Sequence, residues 1–326
     1  MEEPVDVIRE CSRAALTVSR RTQRDDETDS HRHIVSENVT PTVVADIAIK
    51  LKSKTSVSAA DLRILKNSLL DDTKHIEVVL NTNGALRGLV RELTGHDAQR
   101  ALHAAGCICN VSLGDARACT AVAKAAGTYL IAALPSLHTE MAATCARALA
   151  NCAGGGAGAA AVLMSQGAAA ALPPLVTSHD RHASDAAATA LAHLATDDSF
   201  SKEHALPIIQ ALSRTRLIQP SLQLLFILSC REDFNELITE ELLQNVLEHA
   251  TSMETIDNSF VYAIRTLANI DLNDHVYNVI ARHFSMNIEV LKKALMSDEV
   301  VKSVLWLLGN LFNFKCDSEL FNALLS

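Results

Sequence analysis

Apolar residues recur along most of the chain at the spacing of one face of an α-helix, and short polar segments separate these apolar stretches. One helical ending returns several times: Leu or Ile, any residue, Asn, and a further apolar residue. The Asn position of this motif, or the residue that replaces Asn, falls at Asn110, Asn151, His193, Ile227, Asn269 and Asn310. The pattern therefore predicts a repeated helical unit.

Successive motif positions are 41, 42, 34, 42 and 41 residues apart. A period of about 40 residues is typical of armadillo or HEAT repeats, which stack because no single unit can bury its own apolar face. We predict an all-α fold, a right-handed superhelical solenoid of three-helix armadillo repeats over residues 39–326. About six to seven repeats fit this length. We expect an incomplete C-terminal end, because only residues 315–326 follow the last motif.

Glycines that precede an apolar helix recur in phase with the motif, at Gly84, Gly127 and Gly167. Glycine adopts the left-handed backbone conformation without steric cost. We therefore expect a tight turn between the first and second helix of a repeat at each of these three positions.

The recurring asparagines suggest a binding surface. The third helices of stacked repeats line one concave surface, so the motif positions are expected to lie on it. An Asn side chain carries both a donor and an acceptor, and it can pair with the backbone of an extended peptide whatever the peptide's side chains are. The alternative is that each Asn caps the C-terminus of its own helix. Four asparagines in phase favour peptide binding.

The composition favours helices and limits the partners. Ala and Leu dominate the chain, and both have high helix propensity. A net charge of −9 argues against direct binding of nucleic acid or of an anionic membrane surface. The eight cysteines form no CxxC pair, and no apolar segment follows the acidic start of the chain. Reduced thiols in the cytosol or nucleus are therefore expected.

The stretch from Ala148 to Ser178 has no charged residue and could be mistaken for a membrane span. Asn151, a run of glycines and the Pro173–Pro174 pair make it a poor one. We expect two helices joined near Gly167, with a break before Pro173 or a helix that begins there.

Catalytic motifs are lacking in the sequence. The glycine cluster Gly154–Gly158 is not followed by the Lys-Ser/Thr of a phosphate-binding loop, and neither GxSxG nor HExxH occurs. His179 and His182 lie beside Asp180 and Asp185, but a solvated loop accounts for them better than a metal site. We predict a protein that is not an enzyme, with no cofactor and no bound metal.

The repeats resemble those of the importin-α family, whose third helices carry a Trp-x-x-x-Asn pair. Ala104–Gly114 is similar to the family's helix ending AAW-AL-TNIASG. The resemblance extends to the exceptions: Ile227 stands where the family also lacks the Asn, and Arg265 stands where the family Trp is Arg. Both family residues return as Trp306 and Asn310. The resemblance implies a groove that binds extended basic peptides, the nuclear localisation signals.

A second resemblance lies in residues 1–38, which we expect to be disordered because they are charged and poor in apolar residues. Arg20, Arg21, Arg24 and Arg32 follow the spacing of the family's importin-β-binding segment in degenerate form, since two lysine positions of the family hold uncharged residues. This resemblance implies importin-β as a partner. An ordinary charged tail is the alternative.

Departures from the family pattern restrict the predicted site. Gly106, Arg147 and Thr189 replace the indoles that would flank lysine stems at the principal groove. The groove residues that we predict are Asn110, Asn151, Asn269, Trp306 and Asn310, with Arg265 and His193 at diverged positions. Basic peptides are expected at the Trp306–Asn310 end, unless Trp306 belongs to the core.

We therefore predict a monomeric adaptor for protein import into the nucleus, present in the cytoplasm and the nucleus. Its expected partners are proteins or basic peptides together with importin-β, without direct contact to nucleic acid or membrane. The alternative is an armadillo scaffold or assembly chaperone that has lost transport function, because the missing indoles weaken the selection of lysine.

Overall fold

Aspartate side chains start several helices by accepting a hydrogen bond from a backbone N–H of the first turn. Asp97, Asp115 and Asp180 each bond the N–H three residues later. These helices belong to a computed structural model of the protein, which describes residues 40–53, 57–252, 256–298, 300–315 and 318–325. Residues 1–38, with the four arginines of the predicted importin-β-binding segment, lie outside the described residues.

The chain divides into two compact units, with the boundary between Phe200 and Ser201. The helices described in the first unit are α1 (Pro41–Ser53), α2 (Ala59–Asp71), α3 (Thr73–Asn81), α4 (Ala85–Leu93), α5 (Ala98–Val111), α6 (Ala116–Ala133), α7 (Thr139–Gly154), α8 (Ala157–Ser165), α9 (Ala168–Ala171), α10 (Pro173–Val176) and α11 (Arg181–Leu194).

The second unit is helical as well. Its described helices are α12 (Lys202–Ser213), α13 (Gln219–Ser229), a 3-10 turn (Phe234–Glu236), α14 (Glu240–Ser252), α15 (Asn258–Ala268), α16 (Asp274–Met286), α17 (Ile288–Leu295), α18 (Val301–Phe314) and α19 (Ser318–Leu325). Neither unit contains a β-strand within the described residues.

Successive repeats pack through the helices that carry the sequence motif, which we call the ladder helices. In the first unit α5 packs on α2, α7 on α5, and α11 on α7. In the second unit α15 packs on α13, and α18 on α15. The remaining helices form a second layer, in which α4 contacts α1 and α6 in one unit and α14 contacts α12 and α16 in the other. Each unit is therefore a stack of helical repeats, as the 40-residue period predicts.

Small side chains bring the ladder helices of the first unit close together. Ala146 and Ala150 of α7, and Ala187 and Ala190 of α11, are all buried. A helix that is covered on most of its circumference has to be apolar nearly all round. This burial accounts for the absence of charged residues from Ala148 to Ala153, which are all buried, but not for their absence at exposed positions such as Ala157 and Ala161.

The turn glycines bear out two of the three predictions. Gly84 and Gly167 have φ of 98° and 84° and precede α4 and α9, as expected. The prediction for Gly127 is wrong, because α6 runs through it as one helix from Ala116 to Ala133. A side chain at Gly127 would overlap Gln166 and lie 3.0 Å from a Leu163 methyl. This glycine is therefore needed where α6 packs on α8, and the first two helices of this repeat are joined into one.

The uncharged stretch is broken as predicted near Gly167, and α10 begins at Pro173. The break at Leu172 is the one predicted before Pro173, whereas the break after Gly154 was not predicted, so the stretch holds more helices than the two expected. Within the described residues no single helix is long and apolar enough to span a bilayer. One pair of segments reaches the length and hydropathy of a membrane span only when taken together, Ala157–Ser165 and Ala168–Val176. The two segments meet at a bend of 67°.

The close packing of α4 on α1 gives a test of the first unit. A Cβ at Gly88 would lie 2.6 Å from the carbonyl oxygen of Leu51, and backbone cannot move away cheaply. We expect Gly88→Ala to lower the free energy of unfolding by about 2 kcal/mol, measured by urea denaturation followed by circular dichroism. Gly309→Ala is the matched control, because Gly309 lies in α18 with no atom within 4 Å of its would-be Cβ.

Gly309→Ala should raise the free energy of unfolding by up to about 1 kcal/mol, since Ala has the higher helix propensity. Equal effects of the two substitutions would contradict the predicted contact between α4 and α1.

Candidate functional site

Each ladder asparagine lies at the C-terminal end of its helix and reaches the ladder helix before it. The Nδ2 of Asn110 donates to the carbonyl oxygen of Lys66 at 2.8 Å. The Nδ2 of Asn151 donates to that of Cys109 at 3.3 Å, and the Nδ2 of Asn310 to that of Ala268 at 2.8 Å. At Asn110, Asn151 and Asn310 the amide thus bonds the preceding ladder helix, whereas Asn269 also stands at the C-cap of its own helix, α15.

The acceptors explain why an amide is useful here. Cys109 and Ala268 lie in the last turn of α5 and α15, where backbone carbonyls have no intrahelical donor. Each of these residues stands immediately before the ladder asparagine of its own helix. In both units, therefore, a ladder asparagine bonds the residue before the ladder asparagine of the preceding repeat. This agreement supports the alignment of repeats that the sequence motif predicts.

The link at Asn269 passes through a hydroxyl group. Its Nδ2 donates to Ser229 Oγ at 2.9 Å, and that hydroxyl donates to the carbonyl oxygen of Phe226 at 2.7 Å. Phe226 stands immediately before Ile227. Ile227 therefore occupies the ladder position of α13, although its apolar side chain is buried and cannot bind a peptide backbone.

Two of the amides keep an oxygen for a ligand. Within the described part of the chain, no hydrogen bond reaches the Oδ1 of Asn110 or of Asn310. Asn310 is half-buried, whereas Asn110 is only 9% exposed, so its oxygen reaches the surface through a narrow opening at most. One N–H of each amide is fixed by the preceding helix, so the orientation of that oxygen is set before any ligand arrives. His193 differs, because its side chain is buried in α11.

Trp306 lies one turn before Asn310 on α18, on the same side of the helix. Its side chain is 40% exposed, so the alternative that the indole fills the core is not supported. Leu305 is 55% exposed beside it, and the space over Gly309 is empty. An exposed apolar strip thus borders the Asn310 amide in the second unit.

Arg265 stands one ladder helix away, at the position equivalent to Trp306. Its Nε donates to Ser303 Oγ at 3.0 Å, and its guanidinium lies 5.7 Å from the centre of the Phe226 ring. That ring stacks on Tyr262 with 6.0 Å between centroids. Arg265 forms no ion pair with a described residue. Burial raises the pKa of the Tyr262 hydroxyl, while the Arg265 charge acts in the opposite direction.

The first unit has no indole at the equivalent positions. The stem of Lys66 lies across Gly106, with its Cδ 2.7 Å from where a Cβ would be, so any side chain there would have to displace the lysine stem. Thr189 bonds its own helix through the Asp185 carbonyl oxygen at 2.8 Å. Arg147 is half-buried.

Sequence reasoning missed one ladder position, Asn67 of α2. Asn151 and Asn310 bond the carbonyl oxygens of Cys109 and Ala268, each of which stands one residue before a ladder position. Asn110 bonds the carbonyl oxygen of Lys66, which stands one residue before Asn67. Asn67 therefore occupies the ladder position of α2, and it is exposed. The signal was present, since Asn67 lies 43 residues before Asn110. Arg63, four residues earlier, holds the position equivalent to Trp306.

Other candidate chemistry is accounted for structurally. Asp180 caps α11, and Asp185 pairs with Arg181 at 3.6 Å. Burial raises the pKa of the Asp185 carboxyl, with Arg181 and His182 opposing it. The described residues contain no group of His, Cys, Asp or Glu that could hold a metal ion. Burial also raises the pKa of the Cys145 thiol to about 12, which keeps it protonated at neutral pH.

Comparison with known proteins identifies the fold. No family model and no curated protein sequence matches the chain. An engineered protein of the Northeast Structural Genomics Consortium, target OR497, is 26% identical over 82% of this chain and 68% of its own, with a TM-score of 0.71. The designed armadillo repeat protein YIII(Dq)4CqI is 18% identical over 82% of this chain and 99% of its own, with a TM-score of 0.50. The chain has an armadillo-repeat fold.

A computationally designed armadillo repeat protein for modular peptide recognition matches to the same extent, at 18% identity, with coverage of 82% and 99% and a TM-score of 0.50. At these sequence identities, the structural matches establish the fold alone. The predicted fold class, an all-α armadillo solenoid, is confirmed.

The amide links should contribute to stability. We expect Asn110→Ala to lower the free energy of unfolding by about 1 kcal/mol, because a hydrogen bond between two ladder helices is lost. Asn67→Ala is the matched control, since Asn67 is exposed and forms no hydrogen bond to a described residue. It should leave stability unchanged or raise it by up to about 0.5 kcal/mol. Thermal and urea unfolding measure both, and a loss at Asn67 as large as at Asn110 would contradict the link.

Proposed function

We propose that this armadillo protein is a non-enzymatic adaptor that binds extended peptides on its ladder helices, with a basic peptide at Trp306 and Asn310. The observation that carries the proposal is the exposed indole one turn before an amide whose N–H is anchored on the preceding helix. The resemblance of the sequence to importin-α supports it independently.

The Asn310 amide is suited to the backbone of an extended chain. Its Oδ1 accepts a peptide N–H, and its second N–H donates to a peptide carbonyl. Because the anchor on Ala268 already fixes the amide, binding does not have to restrict that side chain further. The contact is independent of the peptide's side chains, so selectivity has to come from the neighbouring groups.

The indole of Trp306 supplies that selectivity. The aliphatic stem of a Lys or Arg packs on an exposed indole face, and the ring attracts the cation. Arg265 at the neighbouring position disfavours a second cation there. We therefore expect a short motif with one basic residue against Trp306 and an acidic or neutral residue towards Arg265.

Binding by one indole should be weak. We expect a dissociation constant on the order of 1–10 µM for a short Lys/Arg-containing peptide. Trp306→Ala should weaken binding about tenfold, or about 1.4 kcal/mol, with Asn310→Ala having a similar effect. Leu305→Ala is the matched control, because it removes a neighbouring exposed apolar side chain without removing an aromatic face.

Trp306 is the only tryptophan, so its fluorescence reports on this site alone. Iodide should quench the indole, and saturating basic peptide should protect it. An indole that iodide does not quench, or a Trp306→Ala variant that loses the last repeat by circular dichroism, would remove the basis for lysine recognition. The scaffold alternative would then replace the adaptor.

The finer proposal is that this adaptor serves protein import into the nucleus, shuttling between cytoplasm and nucleus with importin-β. Its support is the spacing of Arg20, Arg21, Arg24 and Arg32 in the sequence. We expect immobilised importin-β to retain the full chain and to lose it when residues 1–38 are deleted. Retention of both forms, or of neither, would favour the scaffold or assembly chaperone, an alternative that the missing indoles of the first unit already support.

A further inference from the structure

Cations occupy the ladder face of the first unit where indoles would select lysine. Arg63 stands four residues before Asn67, and Arg147 stands four residues before Asn151, so each lies one turn along the same helical face as its ladder asparagine. Lys66 adds a third charge, because its stem lies across Gly106 at the next ladder helix.

The position of Lys66 is set by two contacts with α5. Its backbone carbonyl accepts the Asn110 amide at 2.8 Å, and its Cγ and Cδ lie 3.2 Å and 2.7 Å from where a Gly106 Cβ would be. The glycine thus makes room for the lysine stem beside the asparagine that is oriented to bind a backbone. An aliphatic lysine stem thus lies where the family has an aromatic ring.

Arg63 and Lys66 are not neutralised by the protein. Neither forms an ion pair with a described residue, whereas Lys50 pairs with Asp61 at 3.0 Å and Arg100 pairs with Glu92 at 3.4 Å.

The charges also act on a histidine of the same face. Burial lowers the pKa of the His103 imidazole, and the charges of Lys66 and Arg63 lower it further, while Glu140 acts in the opposite direction. Arg63 and Lys66 are three residues apart on α2 and so lie on one face of that helix, with the Lys66 stem over Gly106 of α5. We define the basic patch as Arg63 and Lys66, because an imidazole with a lowered pKa adds no positive charge at neutral pH.

We propose that the first unit binds an extended acidic segment of a partner protein, with its backbone on Asn110 and its carboxylates on the basic patch. This rests on the proposed function, extended-peptide binding, and assigns the first unit the opposite charge preference to that of Trp306. The Asn110 oxygen favours a peptide over other anions, because it accepts a backbone N–H that a phosphodiester lacks.

The test uses the full chain and labelled peptides of six glutamates or six lysines flanked by Gly and Ser, followed by fluorescence anisotropy. We expect the glutamate peptide to bind and to lose affinity as salt screens the charges. Lys66→Glu should weaken it about tenfold, because an attraction is replaced by a repulsion. The matched control is Lys124→Glu, an identical charge change at an exposed lysine of α6, which should shift affinity less than twofold.

Arg63→Glu is a second variant at an exposed position, so the result does not depend on how well Lys66→Glu folds. It should weaken the glutamate peptide severalfold, and Trp306→Ala should leave that peptide unaffected. No binding of the glutamate peptide, equal effects of Lys66→Glu and Lys124→Glu, or tighter binding of an oligothymidylate of six nucleotides would each overturn the acidic-peptide site.

The outcomes distinguish failure of the acidic site from failure of the proposed function. If neither peptide binds, peptide recognition as a whole is wrong. If the lysine peptide binds with dependence on Trp306 while the glutamate peptide does not, only the acidic site is wrong. If the glutamate peptide alone binds with dependence on Lys66, the acidic site stands and lysine recognition at Trp306 is wrong.

Discussion

The hydrogen bond from a ladder asparagine to the end of the preceding ladder helix is the contact on which the arrangement of the surface depends. The last carbonyls of a helix need donors from outside that helix, and Asn151 and Asn310 supply them across the repeat boundary. The same bond fixes the amide and so determines how its oxygen faces a ligand at Asn310. The same hydrogen bond therefore holds two repeats together and orients the amide for the proposed contact with a peptide backbone.

The hydrogen-bonded link between repeats persists at a position where the ladder asparagine is replaced by another residue. Ile227 has lost the amide, yet the next repeat still reaches the end of its helix through Asn269 and the Ser229 hydroxyl. His193 is buried rather than presented to a ligand. At Ile227 the stack thus tolerates the loss of the amide because the Ser229 hydroxyl bonds the Phe226 carbonyl oxygen, whereas the proposed peptide contact requires an accessible amide.

In the proposed function, the side chains near the position one turn before the asparagine set the charge preference of each unit separately. An exposed indole at Trp306 suits a cation, while Lys66 across Gly106 and the guanidinium of Arg265 suit an anion. The family resemblance favours a basic peptide at every ladder asparagine, whereas the individual side chains favour one at Trp306 only. Because an amide pairs with any peptide backbone, these few side chains would set peptide selectivity under the proposed function.

The sequence by itself determined the helices, their period and the ladder phase, because apolar periodicity and a motif that recurs after 34 to 42 residues can be read along the chain. It also placed the turns at Gly84 and Gly167, where a left-handed backbone needs glycine. It could not distinguish a turn glycine from a packing glycine at Gly127, nor find Lys66 across Gly106. Those outcomes depend on contacts between residues about 40 positions apart, and only the stacking of one repeat on the next decides them.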